Sequence, residues 1–342
     1  MRRGDPTHPL LELVRKLHRR IRAVVLEGFE RQGHALAEVA EEAVGDTLYG
    51  VDKLGERSLV ETLRDDAEAV GGIVLLAEGL PEEGIALPEG RAPSACPYRM
   101  IVDPIDGTRG LMYQKRSAWV LTGVAPNRGD ETRLSDIELA VQTEVPVTKQ
   151  RIADELWAVR GVGARAERVD LTSGARASLS LSPSRATGIE HGFVSVSRFF
   201  PGGRDVLAAL DDALVLAVGG PPDPGKARCF EDQYASTGGQ LYELAIGHDR
   251  FIADLRPLLA PVLAARGLPP GLCCHPYDVC TALVAQEAGV VIRDPRGRPL
   301  DAPLDLTTDV AWVGYANAAL ARRIEPVLLD VLERHGLFGG EA

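Results

Sequence analysis

Asp103-Pro104-Ile105-Asp106-Gly107-Thr108 follows directly on the apolar run Tyr98 to Val102, and the reading of this hexapeptide decides the rest. An apolar run broken by Asp-Pro predicts a strand that ends in a turn, the position where α/β proteins build their sites. Pro104 stiffens the turn, Gly107 lets backbone approach a ligand, and two carboxylates three apart converge on one point. Carboxylates held together repel, so either one keeps its proton or a cation lies between them. Oxygen-only ligation favours a hard ion, magnesium before zinc. A helix starting after the motif would aim the N–H groups of Gly107 and Thr108 at a phosphate oxygen. The same residues also make an ordinary capped turn, so other carboxylates must choose between the two readings. An EF-hand loop is excluded, because Pro104, Ile105 and Gly107 stand where oxygen ligands are required.

Two further acids answer that need. Glu78, in Leu75-Leu76-Ala77-Glu78-Gly79, leaves an apolar strand-like run as Asp103 does. Asp278, in Pro276-Tyr277-Asp278-Val279, opens a helical run and is favoured there by the helix dipole, although capping alone also accounts for it. Ala282, Ala285 and Gly289 follow at helical spacing and are small enough for another backbone to come close. Cys273, Cys274, His275 and Cys280 do not make a zinc set, since adjacent cysteines do not both face one ion and no CxxC pair is present. They read as buried thiols.

Around these motifs, 342 residues with 45% hydrophobic and 5% aromatic content supply a core large enough for two parts. Apolar runs at 73–77, 99–102, 117–125, 137–145 and 155–159 predict an α+β half over residues 1–185. Strand-like runs at 193–196, 214–218, 251–253, 289–292 and 310–315 alternate with helix-like runs at 204–211, 236–247, 276–288 and 317–335. They predict an α/β half over 186–342. Leu10, Val14, Leu17, Ile21 and Val24 mark an amphipathic first helix whose arginines read as a solvated face. Pro326 is expected to kink or split the last helix, and 219–228 is the candidate mobile loop. Gly161-x-Gly163-x-x-Ala166 imitates a dinucleotide fingerprint, but an alternating stretch follows instead of an apolar helix.

Thirty-eight basic residues against 49 acidic ones leave a net charge of −11, which argues against a nucleic-acid polymer or an anionic membrane as partner. No apolar run reaches the length of a membrane span, about 18 residues or more, and no leader pattern opens the chain, so a cytoplasmic protein is expected. Five cysteines without CxxC spacing predict no disulfide framework.

On these residues the chain resembles the inositol monophosphatase-like family, within the magnesium-dependent, lithium-sensitive phosphatases that include fructose-1,6-bisphosphatases and nucleotide 3′-phosphatases. Asp103 to Thr108, Tyr277 to Val291, Asp294 and Gly297 to Asp301 carry the resemblance, with echoes in Thr237 to Leu241 and the hairpin Glu155 to Ala164. It implies a layered α-β-α-β-α sandwich and a magnesium-dependent phosphomonoesterase acting on a small phosphorylated polyol, sugar or nucleotide. It further implies Glu78, Asp103, Asp106, Asp278 and the Ile105 carbonyl as ligands for two or three Mg²⁺ ions, with Mn²⁺ as a substitute. Thr108 and Asp52, with Glu78, would act on water; Gly107 and Thr108 would hold phosphate; Gly238, Gly239 and Asp254 would lie on the leaving-group side. Many members carry a second Glu where Gly79 stands and a Thr three residues before the acid at Asp52, and the stretch 255–275 is longer than in inositol enzymes. Homodimerisation is an expectation from the resemblance. A catalytically silent metabolite-binding protein on the same fold is the alternative, and a zinc hydrolase a weaker third.

Overall fold

The stripe Leu10, Val14, Leu17 and Ile21 is buried along α1 (Leu11–Gln32), with Val25 taking the inward place expected of Val24. The protein is described by a computed structural model over residues 8–32, 39–42, 47–221 and 223–338. After α1 come a two-stranded antiparallel ribbon, β1 (Val39–Glu42) and β2 (Thr47–Tyr49), and then α2 (Gly50–Asp66).

The apolar runs of the first half form one eight-stranded sheet. Its strands are β3 (Ile73–Ala77), β4 (Ile85–Leu87), β5 (Tyr98–Asp106), β6 (Ala118–Pro126), β7 (Leu139–Val145), β8 (Ile152–Val159), β9 (Gly163–Asp170) and β10 (Arg176–Leu179), with the short α3 (Thr108–Met112) between β5 and β6. The spatial order is β10-β9-β8-β7-β6-β5-β3-β4, antiparallel throughout except for the parallel pair β3 and β5. Gly161 and Gly163 belong to the tight turn between β8 and β9, both at positive φ, so the apparent dinucleotide fingerprint is a hairpin.

The second half adds β11 (Phe193–Val196), α4 (Arg204–Gly219), α5 (Thr237–Ile246), β12 (Asp249–Asp254) and α6 (Ala260–Ala265). These are followed by α7 (Pro276–Val279), α8 (Ala282–Ala288), β13 (Val291–Arg293), β14 (Trp312–Tyr315) and α9 (Ala318–Arg334). The four strands order as β11-β12-β14-β13, with β11 and β12 parallel and the other pairs antiparallel.

Contacts between elements give the layers. Helices α1 and α2 cover one face of the large sheet; α5, α7 and α8 pack on its other face; α5 and α8 also meet the second sheet, and α4 and α9 close its far side. This is the expected α-β-α-β-α sandwich. Period-two alternation along the strands feeds two cores: Leu75, Met100, Val102 and Val120 face α1, while Leu76, Ile101, Trp119 and Leu121 face the inner helices.

Several details differ from expectation. Run 214–218 is the end of α4, not a strand, because Leu207, Leu210 and Leu214 are buried at helical spacing. Run 276–288 divides into α7 and α8. Pro326 leaves α9 unbroken; it lies on the exposed side, where the carbonyl that loses its N–H partner reaches water.

The largest difference concerns the arginines of α1. Arg15 and Arg22 are only 9% and 6% exposed, and Arg15 bonds to Glu155, which is fully buried on β8, and to Glu167 at 2.7 Å. Arg176 reaches the same two acids at 3.2 and 2.8 Å, and the Arg15 guanidinium lies 4.1 Å above the Trp157 ring. Arg15 therefore docks onto β8 to β10, whereas Lys16 and Arg20 are exposed as expected of a solvated face. Removing one side of such a buried pair strands the other, so Glu155→Leu is expected to cost about 3 to 5 kcal/mol. A lower urea midpoint with unchanged slope is the expected reading, and an unshifted midpoint would contradict it.

Candidate active site

Asp103 to Asp106 continue β5, and the chain turns only at Gly107, where α3 begins. Asp103 pairs with Leu121 and Asp106 with Trp119, so three steps along β5 match two along β6: a bulge at Pro104-Ile105. In a regular strand, residues three apart point to opposite faces. The extra residue restores them to one face, that of Leu121 and Trp119, while Ile105 turns into the opposite core. Pro104, which has no N–H to give a ladder, is tolerated at such a place. The Ile105 N–H bonds back to Asp103 Oδ1 at 2.9 Å, and the Thr108 hydroxyl donates to the Ile105 carbonyl at 2.7 Å.

The parallel register pairs Ala77 with Val102, so Glu78 and Asp103 leave neighbouring strand ends side by side. Asp278 arrives from the other direction on α7, which packs against β5 and β6. Its Oδ2 accepts the His275 N–H at 2.6 Å, so capping positions the carboxylate without excluding a second task. One carboxylate oxygen each from Asp103, Asp106 and Asp278 lie within 4.8 Å of one another, and Glu78 lines the same cleft.

Asp106 is steered by the start of α5. Its carboxylate accepts the Ser236 hydroxyl at 2.7 Å, the Gly238 N–H at 2.6 Å and the Thr237 N–H at 3.3 Å. Ser236 Oγ at the same time accepts the Gly239 N–H at 2.9 Å as the helix cap. Glycine at 238 is a matter of space: a Cβ there would lie 2.5 Å from Leu121 Cδ2 and 3.0 Å from Asp106 Oδ2.

Burial sets the electrostatics. The Asp103 carboxyl is held well above the usual range by loss of water, then by Glu78, Asp106 and Asp278. Asp106 is pushed up to about 7, by burial first and then by Asp278, against its three donors. Between about pH 4 and 7 the cation-free folded state keeps a proton that the unfolded chain has already released. Stability therefore falls as pH rises through that window, at about 1.4 kcal/mol per pH unit per proton. We expect chelator-treated protein to show this loss relative to Asp106→Asn in urea titrations at pH 5 and pH 7.5; a parallel profile for the two proteins would refute it.

The opposite wall of the cleft, about 80 Å³ in free volume, is cationic and aromatic: Arg109, Phe199, Phe200, Arg256, Cys273 and Tyr277. Arg256 is 9% exposed and forks onto the fully buried Asp254 at 2.8 and 2.5 Å, with a third bond to the Leu272 carbonyl. Burial works to discharge its guanidinium, but Asp254 outweighs it and holds it charged. The guanidinium also lies 4.5 Å from the Phe199 ring centre.

Asp254, Gly238 and Gly239, expected on the leaving-group side, do not line the cleft. Asp254 is committed to Arg256, Gly238 to Asp106, and Gly239 packs against the Tyr234 ring. Gly107, at φ 90°, caps α3, and it lines the cleft with Thr108. Asp52 belongs to α2, but its side chain lies outside the described residues. Cys274 and Cys280 are buried thiols as read from sequence, whereas Cys273 faces the cleft, its thiol pushed up to about 12 by burial and so no nucleophile. No cysteine or histidine joins the acidic cluster among the described residues. Arg256, Phe199, Phe200 and Ser236 were not read as site residues from sequence; the Asp254-x-Arg256 spacing and the serine before Thr237-Gly238-Gly239 were their signals.

Comparison with solved structures agrees with this architecture. The fructose-1,6-bisphosphatase of Leishmania major superposes with a TM-score of 0.67 at 14% identity, covering 95% of this chain and 94% of that one. The extragenic suppressor protein SuhB of Bartonella henselae gives 0.63 at 15% identity, covering 94% and 98%. The IMPase of Thermotoga maritima gives 0.60 at 17%, covering 96% and 100%. The chain has the inositol monophosphatase/fructose-1,6-bisphosphatase fold. No family model matches it, and no curated protein does. Within this fold, Asp103 and Asp106 of β5 and Asp278 of α7 meet beside the start of α5.

Proposed function

We propose that the protein is a divalent-cation-dependent phosphomonoesterase for a small phosphorylated polyol, sugar or nucleotide. The single observation that carries this is the meeting of Asp103, Asp106 and Asp278 within 4.8 Å, in a cleft that also holds Glu78. The raised pKa values of Asp103 and Asp106 follow from burial beside other carboxylates, and an all-oxygen set suits Mg²⁺, with Mn²⁺ as a substitute, better than Zn²⁺. Glu78, Asp103, Asp106, Asp278 and the Ile105 carbonyl are the residues to hold such ions. When bound, a divalent cation supplies Lewis acidity, acidifying water and neutralising phosphoryl charge.

The chain's own residues do the positioning. Ser236, Thr237 and Gly238 fix Asp106, the His275 N–H fixes Asp278, and the bulge aims Asp103. Thr108, tied to the Ile105 carbonyl, presents its hydroxyl beside the acids, and the amides of Gly107 and Thr108 are the groups proposed to receive phosphate oxygens. Arg109 and Arg256 give the cleft a positive wall for an anionic substrate in a chain whose net charge is −11. Asp52 is proposed with Thr108 to orient water. The halves 1–185 and 186–342 each supply part of the site.

No helix among the described residues is long and apolar enough to cross a membrane, and a small cytoplasmic metabolite is the proposed partner. Phosphate release from a panel of sugar, inositol, amino-alcohol and 3′-nucleotide monoesters tests the reading. Turnover that is lost to chelator and restored by Mg²⁺ but not Zn²⁺ is expected. Saturable binding of the same esters without release would assign the silent binding protein instead.

A further inference from the structure

A second cavity, about 610 Å³, opens on the other side of the Tyr234–Ser236 segment and has no part in the chemistry above. Trp119 and Tyr242 form one wall, their ring centres 4.8 Å apart. Asp249, the first residue of β12, lines it and is 8% exposed, yet no described residue donates a hydrogen bond to its carboxylate. Its oxygens open onto the cavity, and the neighbouring side chains do not neutralise them. Arg116 is engaged by Asp232 at 2.6 Å, by Glu243 at 3.6 Å and by the face of Tyr234 at 4.1 Å. His248 is bonded to Glu243, Glu144 is satisfied by the Ser117 hydroxyl, Gln150 and the Asp154 N–H, and Lys115 is exposed at the rim. Glu243 and Asp232 repel the carboxylate more than His248 and Arg116 attract it, and together with burial they raise its pKa to about 7.

Among the described residues, the acids of this cavity do not converge on one point as Asp103, Asp106 and Asp278 do, so the cavity offers no set of ligands for a hard metal ion. A weakly hydrated organic cation matches both surfaces, pairing with a carboxylate and resting on π faces. We infer that this cavity binds an organic ammonium ion, with its cationic head on Asp249 and its apolar body against Tyr242 and the exposed Phe193. The inference is independent of the phosphatase reading.

Calorimetric titration of the full chain with n-butylammonium and tetramethylammonium chloride, at constant ionic strength, tests it. Saturable binding is expected, weakened at least tenfold in Asp249→Asn and tighter at pH 8 than at pH 6, because the proton and the amine compete for one carboxylate. Should Asp249→Asn fail to fold, Tyr242→Leu gives the same reading through loss of the π face, with at least a threefold weakening. Absence of saturation, equal affinity in the variant that folds, or displacement by Na⁺ at equal concentration would overturn the assignment.

Discussion

Asp103→Asn is expected to lower phosphomonoester turnover by about a thousandfold, equivalent to about 4 kcal/mol of lost transition-state stabilisation, while the protein folds as before. Asp103 is 2% exposed and faces Glu78, Asp106 and Asp278, each of which raises its pKa. Exchanging its carboxyl for a neutral amide of nearly the same shape therefore removes repulsion from the cation-free protein. The same exchange removes a ligand. Two measurements then move in opposite directions: the melting temperature without divalent cation stays level or rises, and the increase on adding Mg²⁺ disappears. At a hundredfold excess over Kd that increase corresponds to about 2.7 kcal/mol in the parent. A variant that melts lower than the parent in chelator and still gains stability from Mg²⁺ would show that Asp103 serves the core and not an ion.

Arg256→Met is expected to be the most damaging change outside the acidic cluster. Methionine fills much of the volume but leaves Asp254, which is fully buried, without either of its two guanidinium bonds, and leaves the Leu272 carbonyl without its donor. Breaking a buried pair from one side costs about 3 to 5 kcal/mol. The paired variant Asp254→Asn with Arg256→Met should recover much of that loss, since no charge is then left behind. Chemical denaturation of the parent, the two single variants and the double variant checks the cycle, and an additive double variant would mean the two residues act separately. Because Arg256 also lines the cleft beneath Phe199, both variants should bind an anionic ester more weakly even where stability recovers.

Both residues illustrate what could be read in advance. Asp103 and Asp106 were legible because a local feature, an apolar strand interrupted by Asp-Pro-x-Asp-Gly, dictates where they lie. Their convergence was attributed to a turn, and the structure supplies a bulge instead; the distinction depends on pairing with Leu121 and Trp119, which local sequence does not contain. Asp278 was legible as a helix-start acid, but its approach to β5 comes from the packing of α7 on β5 and β6, which local sequence does not contain. Strand and helix periodicities made the α+β and α/β halves legible, while the layered sandwich came from the resemblance carried by Asp103 to Thr108 and Tyr277 to Val291. Run 214–218, Leu-Val-Leu-Ala-Val, misled because β-branched apolar residues suit a strand, and only packing of α4 on α9 and β11 decides for helix. The arginines of α1 looked solvated because Glu155, their partner, sits some 140 positions away. Gly238 and Gly239 looked like a surface for a ligand and are instead clearances, one for a carboxylate and one for a ring.

The way Asp106 is held has a further consequence. Its three partners are two amides and a hydroxyl, all formally neutral. They lock the orientation of the carboxyl group and set no compensating positive charge beside it. An arginine in that role would have fixed the side chain equally well and cancelled its field. By anchoring an anion with dipoles alone, the beginning of α5 keeps an attractive potential in reserve for whatever positive species arrives, and ties its direction to the rigid axis of a helix.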